Sequence, residues 1–176
     1  LGVAALVLLG IAAYVLFGGD DSDGGSVAQT GPGSLAEPHS RTTPVEVFYP
    51  DGDAEQRFVI EVLEPLRDAS AEAAADPPAE GQRFAVTRVR VTNQTSADAP
   101  VADLRFNAVT AAGEIVDREA NSCSIVEPAL DYSVVLGEAG VAEGVVCWVV
   151  SDAAFDGLLL GIESTQVGGR IHIDLQ

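Results

Sequence analysis

Lysine and methionine are absent from this chain, and cysteine, histidine and aromatic residues are scarce. Two Cys and two His in 176 residues exclude a Cys-rich zinc module and a disulfide-dense miniprotein. Positive charge is the next shortage. Nine Arg stand against 27 Asp plus Glu, for a formal charge of -18. A nucleic-acid binder needs clustered cations to displace counterions from phosphate, and adhesion to an anionic lipid surface needs them as well, so neither partner fits. Apolar character, in contrast, is plentiful. At 47% hydrophobic residues the chain is no disordered acidic tail. Its length suits one domain of ordinary size, with room for an anchor.

The opening residues, LGVAALVLLGIAAYVLF, carry no charge. As a helix rising about 1.5 Å per residue they cover roughly 25 Å, against a bilayer core of roughly 30 Å. With no Met in the chain, further residues are expected upstream. The expectation is a single transmembrane anchor over residues 1–17, meeting membrane lipid through Leu1, Leu6, Leu9, Tyr14 and Phe17. The rival is a cleaved signal peptide. Its best cleavage pattern, Ser26-Val27-Ala28, lies far beyond Phe17, and no Cys follows the run to take a lipid. Asp20, Asp21 and Asp23 make the side after the anchor the outer one. Residues 18–44, rich in Gly, Ser, Pro, Asp and Thr, read as a flexible linker.

From Val45 onward short runs of period two are separated by turn residues. Phe58, Ile60 and Val62 form one such face, Val89 and Val91 a second, Leu104, Phe106 and Ala108 a third, and Ile171, Ile173 and Leu175 a fourth. The run Val145 to Val150 is apolar on both faces, as in a central strand. Phe84 and Val86 have the opposite parity to Val89 and Val91, which predicts a β-bulge near Thr87. Turn signals fall at Pro50 to Asp53, Asn93 to Pro100, Ala112-Gly113, Gly137 to Gly140, Asp156-Gly157 and Gly168-Gly169. The helical candidate is Leu66 to Ala75, an Ala-rich piece ended by Pro77-Pro78. Many short strands without alternating long helices mean an all-β antiparallel sandwich over residues 45–176.

Cys123 and Cys147 would meet oxidising conditions beyond a membrane, where an even pair is most simply a disulfide. Closing a loop of about 25 residues stabilises by roughly 3 to 4 kcal/mol on the chain-entropy model. Free thiols and a redox pair are the alternatives, though the close C-x-x-C spacing of redox motifs is absent. Trp148, beside Cys147, is expected to be a core anchor next to the disulfide.

The strand Phe58 to Leu63, the strand Val86 to Asn93 ending in Asn, Pro100-Val101, Leu104 to Val109 followed by Gly113, and Val135-Leu136-Gly137-Glu138 before Gly144 to Val150 together carry a resemblance. The chain resembles a bacterial and archaeal extracytoplasmic domain family of unknown function, described as telokin-like. That family is common in membrane-tethered and secreted proteins. The resemblance covers about residues 55 to 175 and implies an immunoglobulin-like sandwich outside the cytoplasm. It supplies no catalytic residues. The chain departs from the family's pattern at Gly137-Glu138, where Pro-Gly-Glu is frequent, and in the Ala-rich insertion between Leu66 and Glu80.

Chemistry is sparse in the sequence. His39 in the linker and His172 on the polar face of the last strand read as solvated histidines. No G-x-S-x-G nucleophile elbow occurs. Asp51 and Asp53 form a weak candidate ion site in a turn, and Asp20, Asp21 and Asp23 could hold calcium in the same way, neither with the closing Glu of a calcium loop. Asn93-Gln94-Thr95 is a glycosylation sequon in form. The expected function is a non-enzymatic, single-pass membrane-anchored extracytoplasmic interaction domain. It would serve as an accessory subunit among other membrane-protein subunits, with no cofactor. The alternative is a module binding calcium or a cell-envelope component.

Overall fold

The computed structural model describes residues 14–16, 32–51, 54–73, 75–123, 125–164 and 169–176. In chain order the elements are β1 (Tyr14–Leu16), β2 (His39–Ser40), β3 (Val45–Asp51), β4 (Ala54–Asp68), β5 (Gln82–Asn93), β6 (Ala99–Pro100), β7 (Leu104–Val109), β8 (Ile115–Val116), α1 (Arg118–Asn121), β9 (Val135–Leu136), β10 (Val141–Ser151), α2 (Asp152–Phe155), β11 (Leu159–Ser164) and β12 (Arg170–Asp174). One sheet runs β1-β3-β4-β5-β10 and the other β2-β12-β11-β7-β8, with a small β6–β9 ladder at one end. The two sheets make a β-sandwich. Every described ladder is antiparallel except the two made by the N-terminal strands, β1 on β3 and β2 on β12.

The core follows from alternation. Phe58, Ile60, Val89, Val91 and Trp148 from the first sheet bury completely against Phe106, Leu160, Ile162 and Ile171 from the second. Fully burying an aliphatic or aromatic side chain of this size contributes about 1.5 to 3 kcal/mol. The Trp148 indole N–H, which cannot be left unpaired in such a place, donates to the Phe106 carbonyl across the core at 3.2 Å.

The parity change at Thr87 has a different origin from the one expected. β5 pairs with β10 without interruption from Gln82↔Ser151 to Thr92↔Val141. The register shifts lie in β4 instead, between Val62 and Glu64 and again between Glu64 and Arg67. Thr87 is buried against this irregularity, and its hydroxyl donates to the Glu64 carbonyl at 2.7 Å. Phe84 and Val86 simply face outward, where a second cluster covers them. That cluster holds Ala69, Ala73, Val145 and Cys147, with Cys123, Ile125 and Val126 packed on it.

The same cluster corrects two further expectations. Val145 to Val150 is apolar on both faces, yet β10 is the last strand of its sheet. Its outer face meets the second cluster rather than a layer of a larger sheet. Leu66 to Ala75 is no helix: β4 continues to Asp68, and only Ser70–Glu72 form a single 3₁₀ turn. A piece this short gains little from Ala propensity against the cost of nucleating a helix. Burying Ala69 and Ala73 against Phe84 and Val86 decides its shape instead.

The N-terminal expectations fall largely outside the described residues. Leu1, Leu6, Leu9 and Phe17 are among those left out. Tyr14–Leu16, assigned to an anchor helix, lie as a strand in parallel register with Glu46, Val47 and Phe48. Aromatic and β-branched residues suit such a position, and the β3 edge offers free backbone partners. Among the described residues no helix is long and apolar enough to cross a membrane. Residues 32–44, placed in the linker by composition, pack on the domain through β2 and the turns on either side of it.

Asn93 is completely buried at the end of β5. Its side-chain amide donates to the carbonyls of Ala97, Leu136 and Gly137 at 2.8, 2.9 and 3.1 Å. Its oxygen accepts from the Thr95 amide and hydroxyl. The sequon is therefore a structural knot that ties the turn after β5 to β9. Asn93→Ala takes the side-chain donor from the buried Leu136 carbonyl and empties a fully buried site, and is expected to cost roughly 2 to 4 kcal/mol in chemical denaturation, with the native protein unglycosylated at this residue.

Candidate functional site

After β8 the chain crosses to the open side of β10. Asp117 caps α1 by accepting from the Ala120 amide, and α1 leads into Ser122, which bridges to Trp148. Residues 128–130 then cross β10: the Leu130 amide donates to the Val145 carbonyl at 2.9 Å, and the Val145 amide donates to the Pro128 carbonyl at 2.8 Å. The crossing is possible because residue 144 is glycine. A Cβ there would lie 2.4 Å from the Leu130 backbone.

The predicted pair, Cys123 and Cys147, is joined in a disulfide with Cα atoms 5.3 Å apart. It staples this crossing segment to β10 on the outer face of the sheet. Alternation along β10 puts Trp148 on the inner face, so indole and disulfide belong to separate clusters. The bond therefore does not link sheet to sheet as it does in antibody domains.

Between the crossing segment and β10 lies a cleft of about 170 Å³, lined among others by Arg118, Ser122, Leu130, Tyr132 and both cysteines. The Arg118 guanidinium lies 3.8 Å from the centre of the Tyr132 ring. The same ring meets Phe106 edge-on at 6.1 Å. No ion pair holds Arg118 among the described residues, in a chain where acids outnumber bases threefold. The Tyr132 hydroxyl is buried with no hydrogen-bond partner among the described residues. Burial pushes its ionisation well above the ordinary phenol range, with the Arg118 charge pulling weakly the other way, so the phenol is neutral. Neither residue was singled out from the sequence. One guanidinium and one unstrung acidic turn in Arg118-Glu119 give no pattern until the fold stacks the cation on a ring.

The cleft offers a cation and apolar walls. A second cavity, of about 300 Å³, opens between the β7–β8 turn and α2, lined by Thr110, Glu114, Ser151 and Asp156 among others. Outward on the first sheet, Arg88 and Arg90 pair with glutamates on both neighbouring strands. Arg88 reaches Glu64 at 3.1 Å, and Arg90 reaches Glu143 at 3.0 Å and Glu61 at 3.4 Å. Such half-exposed pairs contribute little individually but fix which strand edges face each other.

The remaining candidates are not brought together. Asp51 ends β3, its side chain lies outside the described residues, and so does Asp53. Asp20, Asp21 and Asp23 also lie outside them. Among the described residues no group of three His, Cys, Asp or Glu has metal-ligand geometry. His39 and His172, expected to be solvated, are both buried, at 9% and 7% exposure.

No family model matches the chain, and no curated protein does. Among solved structures it is similar to an uncharacterized β-sandwich protein of Clostridium difficile 630, at 12% identity over 80% of this chain and 95% of that one, with a TM-score of 0.46. It is also similar to a conserved hypothetical protein of Bacillus anthracis, at 13% identity over 75% of this chain and 94% of that one, with a TM-score of 0.37. Likenesses this distant name no function.

The disulfide and the buried phenol each yield a measurable expectation. Replacing both cysteines by Ser is expected to lower stability by roughly 3 to 4 kcal/mol in urea titration, with the loss centred on residues 118–134. Tyr132→Phe removes a buried hydroxyl without a hydrogen-bond partner among the described residues, and is expected to leave the unfolding free energy in urea unchanged or raise it by about 1 kcal/mol.

Proposed function

We propose that this chain is a non-enzymatic, membrane-anchored extracytoplasmic interaction domain, serving as an accessory subunit of a larger membrane-protein complex. The observation that carries the reading is the Cys123–Cys147 disulfide within the folded domain. Such bonds persist where thiols are not kept reduced, which is beyond the cytoplasmic membrane. Leu1–Phe17 supplies the apolar run for a single anchor, and the acidic residues after it suit the outer side. An immunoglobulin-like relation, suggested by Val86–Asn93 and by Gly144 to Val150, belongs to the same proposal. Against it stands the position of the disulfide on one sheet's outer face.

The surface supports a binding role by its chemistry. Residues 45–176 carry 23 of the 27 acids and eight of the nine Arg, so the domain repels like-charged neighbours and selects partners that bring cations. Arg118 on its aromatic platform offers a place for one carboxylate. Tyr14–Leu16 cannot be a strand on β3 and part of a helix in lipid at once, because each arrangement uses the same backbone donors and acceptors. Anchoring therefore requires these residues to leave the sheet edge.

The test is fractionation followed by purification. Native membranes washed with alkaline carbonate are expected to retain the wild type and to release a Leu6→Asp/Leu9→Asp variant. Detergent-solubilised wild type is expected to copurify with other membrane subunits. Recovery of the wild type as a free monomer in the soluble fraction overturns the proposal.

A further inference from the structure

The two histidines of the chain, 133 positions apart, meet at one place on the edge of the second sheet. His39 in β2 stands opposite Ile173, the neighbour of His172 in β12. Gly33 lies between the rings. The His172 amide donates to the Gly33 carbonyl at 2.8 Å, and His172 Nδ1–H donates to the same oxygen at 3.1 Å. A carbonyl only accepts, so this contact fixes the proton of His172 on Nδ1. On the other side, a Cβ at Gly33 would lie 2.8 Å from His39 Nε2 and 3.3 Å from Ile171 Cγ2, and Gly33 has a φ of +85°. Only glycine fits there. The loop then closes on itself through Gly33 N–H to the Glu37 carbonyl and Glu37 N–H to the Ser34 carbonyl.

The surroundings are hostile to a charged imidazole. His39 Nε2 is buried and has no hydrogen-bond partner among the described residues, and Arg170 Nε shares that condition. Arg170 flanks His172 on β12, lies over Gly161 of β11, and is paired there with Glu163. The acids of the neighbourhood are otherwise engaged or turned outward. Asp174 accepts from the Gln176 amide, Glu37 is exposed, and Arg41 from the β2 side donates to the Gln176 carbonyl. No carboxylate among the described residues bonds either imidazole.

We propose that His39, His172 and Gly33 form a pH-operated latch that holds residues 33–40 on the β12 edge while both rings are neutral and releases them when either ring is protonated. Burial depresses the basicity of both rings below the ordinary value of 6.5, and for His172 the Arg170 charge acts in the same direction, against the Gly33 hydrogen bond. The sign follows. Above about 6.5 docked and released forms both hold neutral rings, and docking is independent of pH. Below it the released form takes up protons that the docked form refuses, so docking weakens as the pH falls. Release exposes the β12 backbone edge and frees the segment that leads back toward the N-terminus.

Backbone amide exchange on the full chain tests this. Protection factors at Gly33 and His172 are expected to fall at least about tenfold between pH 7.5 and 5.0, because the released form takes up protons on two imidazoles. Those at Val91 and Val146, in the β5–β10 ladder, are expected to hold. A His39→Phe/His172→Phe variant is expected to lose the pH dependence. Should that variant fail to fold, imidazole titration of the wild type by NMR serves instead, with both midpoints expected below 6.5. Equal loss of protection at all four amides, no loss at Gly33 and His172, or imidazole midpoints at or above 6.5 each overturns the latch.

Discussion

The unbroken ladder between β5 and β10 is the constraint on which the rest of this molecule depends. Eleven consecutive residue pairs hold the two strands in register from Gln82↔Ser151 to Thr92↔Val141. Because the register never slips, Ala85, Val89 and Val91 of β5 and Ala142, Val146, Trp148 and Val150 of β10 all face the main core, while Phe84, Val86, Val145 and Cys147 between them face the second cluster and Arg88, Arg90 and Glu143 pair outward. One strand pair therefore serves two apolar interiors. An irregularity here would turn Trp148 or Val89 out of the core, so the sheet accommodates its twist in β4, where the Thr87 hydroxyl satisfies the disturbed Glu64 carbonyl.

β10 is also the end of its sheet, and an exposed apolar edge invites pairing with other chains. The crossing segment from α1 to Tyr132 covers it without becoming a strand. It makes two short bridges, at Ser122 and Ala129, passes over Gly144, and is pinned by the disulfide. At the opposite side of the sandwich the β3 and β12 edges are covered by N-terminal residues, again through short pairings of three and two residues. Short pairings are the ones that open at low cost. The edge held by a covalent bond is thus permanent, while those held by the N-terminal segment are conditional.

Much of the strand content was readable from period two, because a half-buried strand imposes it directly. Phe58, Leu104, Phe106 and Ile171 lie where alternation put them. The errors arose where a residue is buried by something distant in sequence. Phe84 and Val86 looked out of phase because a satellite cluster of Ala69, Ala73 and Val145 is invisible locally. The polar-looking histidines are buried because residues 33–40 fold over β12, which composition alone read as linker.

Sequence by itself determined the all-β character and the acidity, and it pointed to the one possible cysteine pair and to a buried Trp148, which the structure bears out. Alternation, charge and a choice of one partner are properties of single residues and their near neighbours. Tertiary structure alone decided that β10 is an edge, that Asn93 is a knot rather than an exposed sequon, that Arg118 rests on Tyr132, and that His39 and His172 both abut Gly33. Each of these depends on contacts between residues tens of positions apart, whose solvation is set by whatever the fold lays over them.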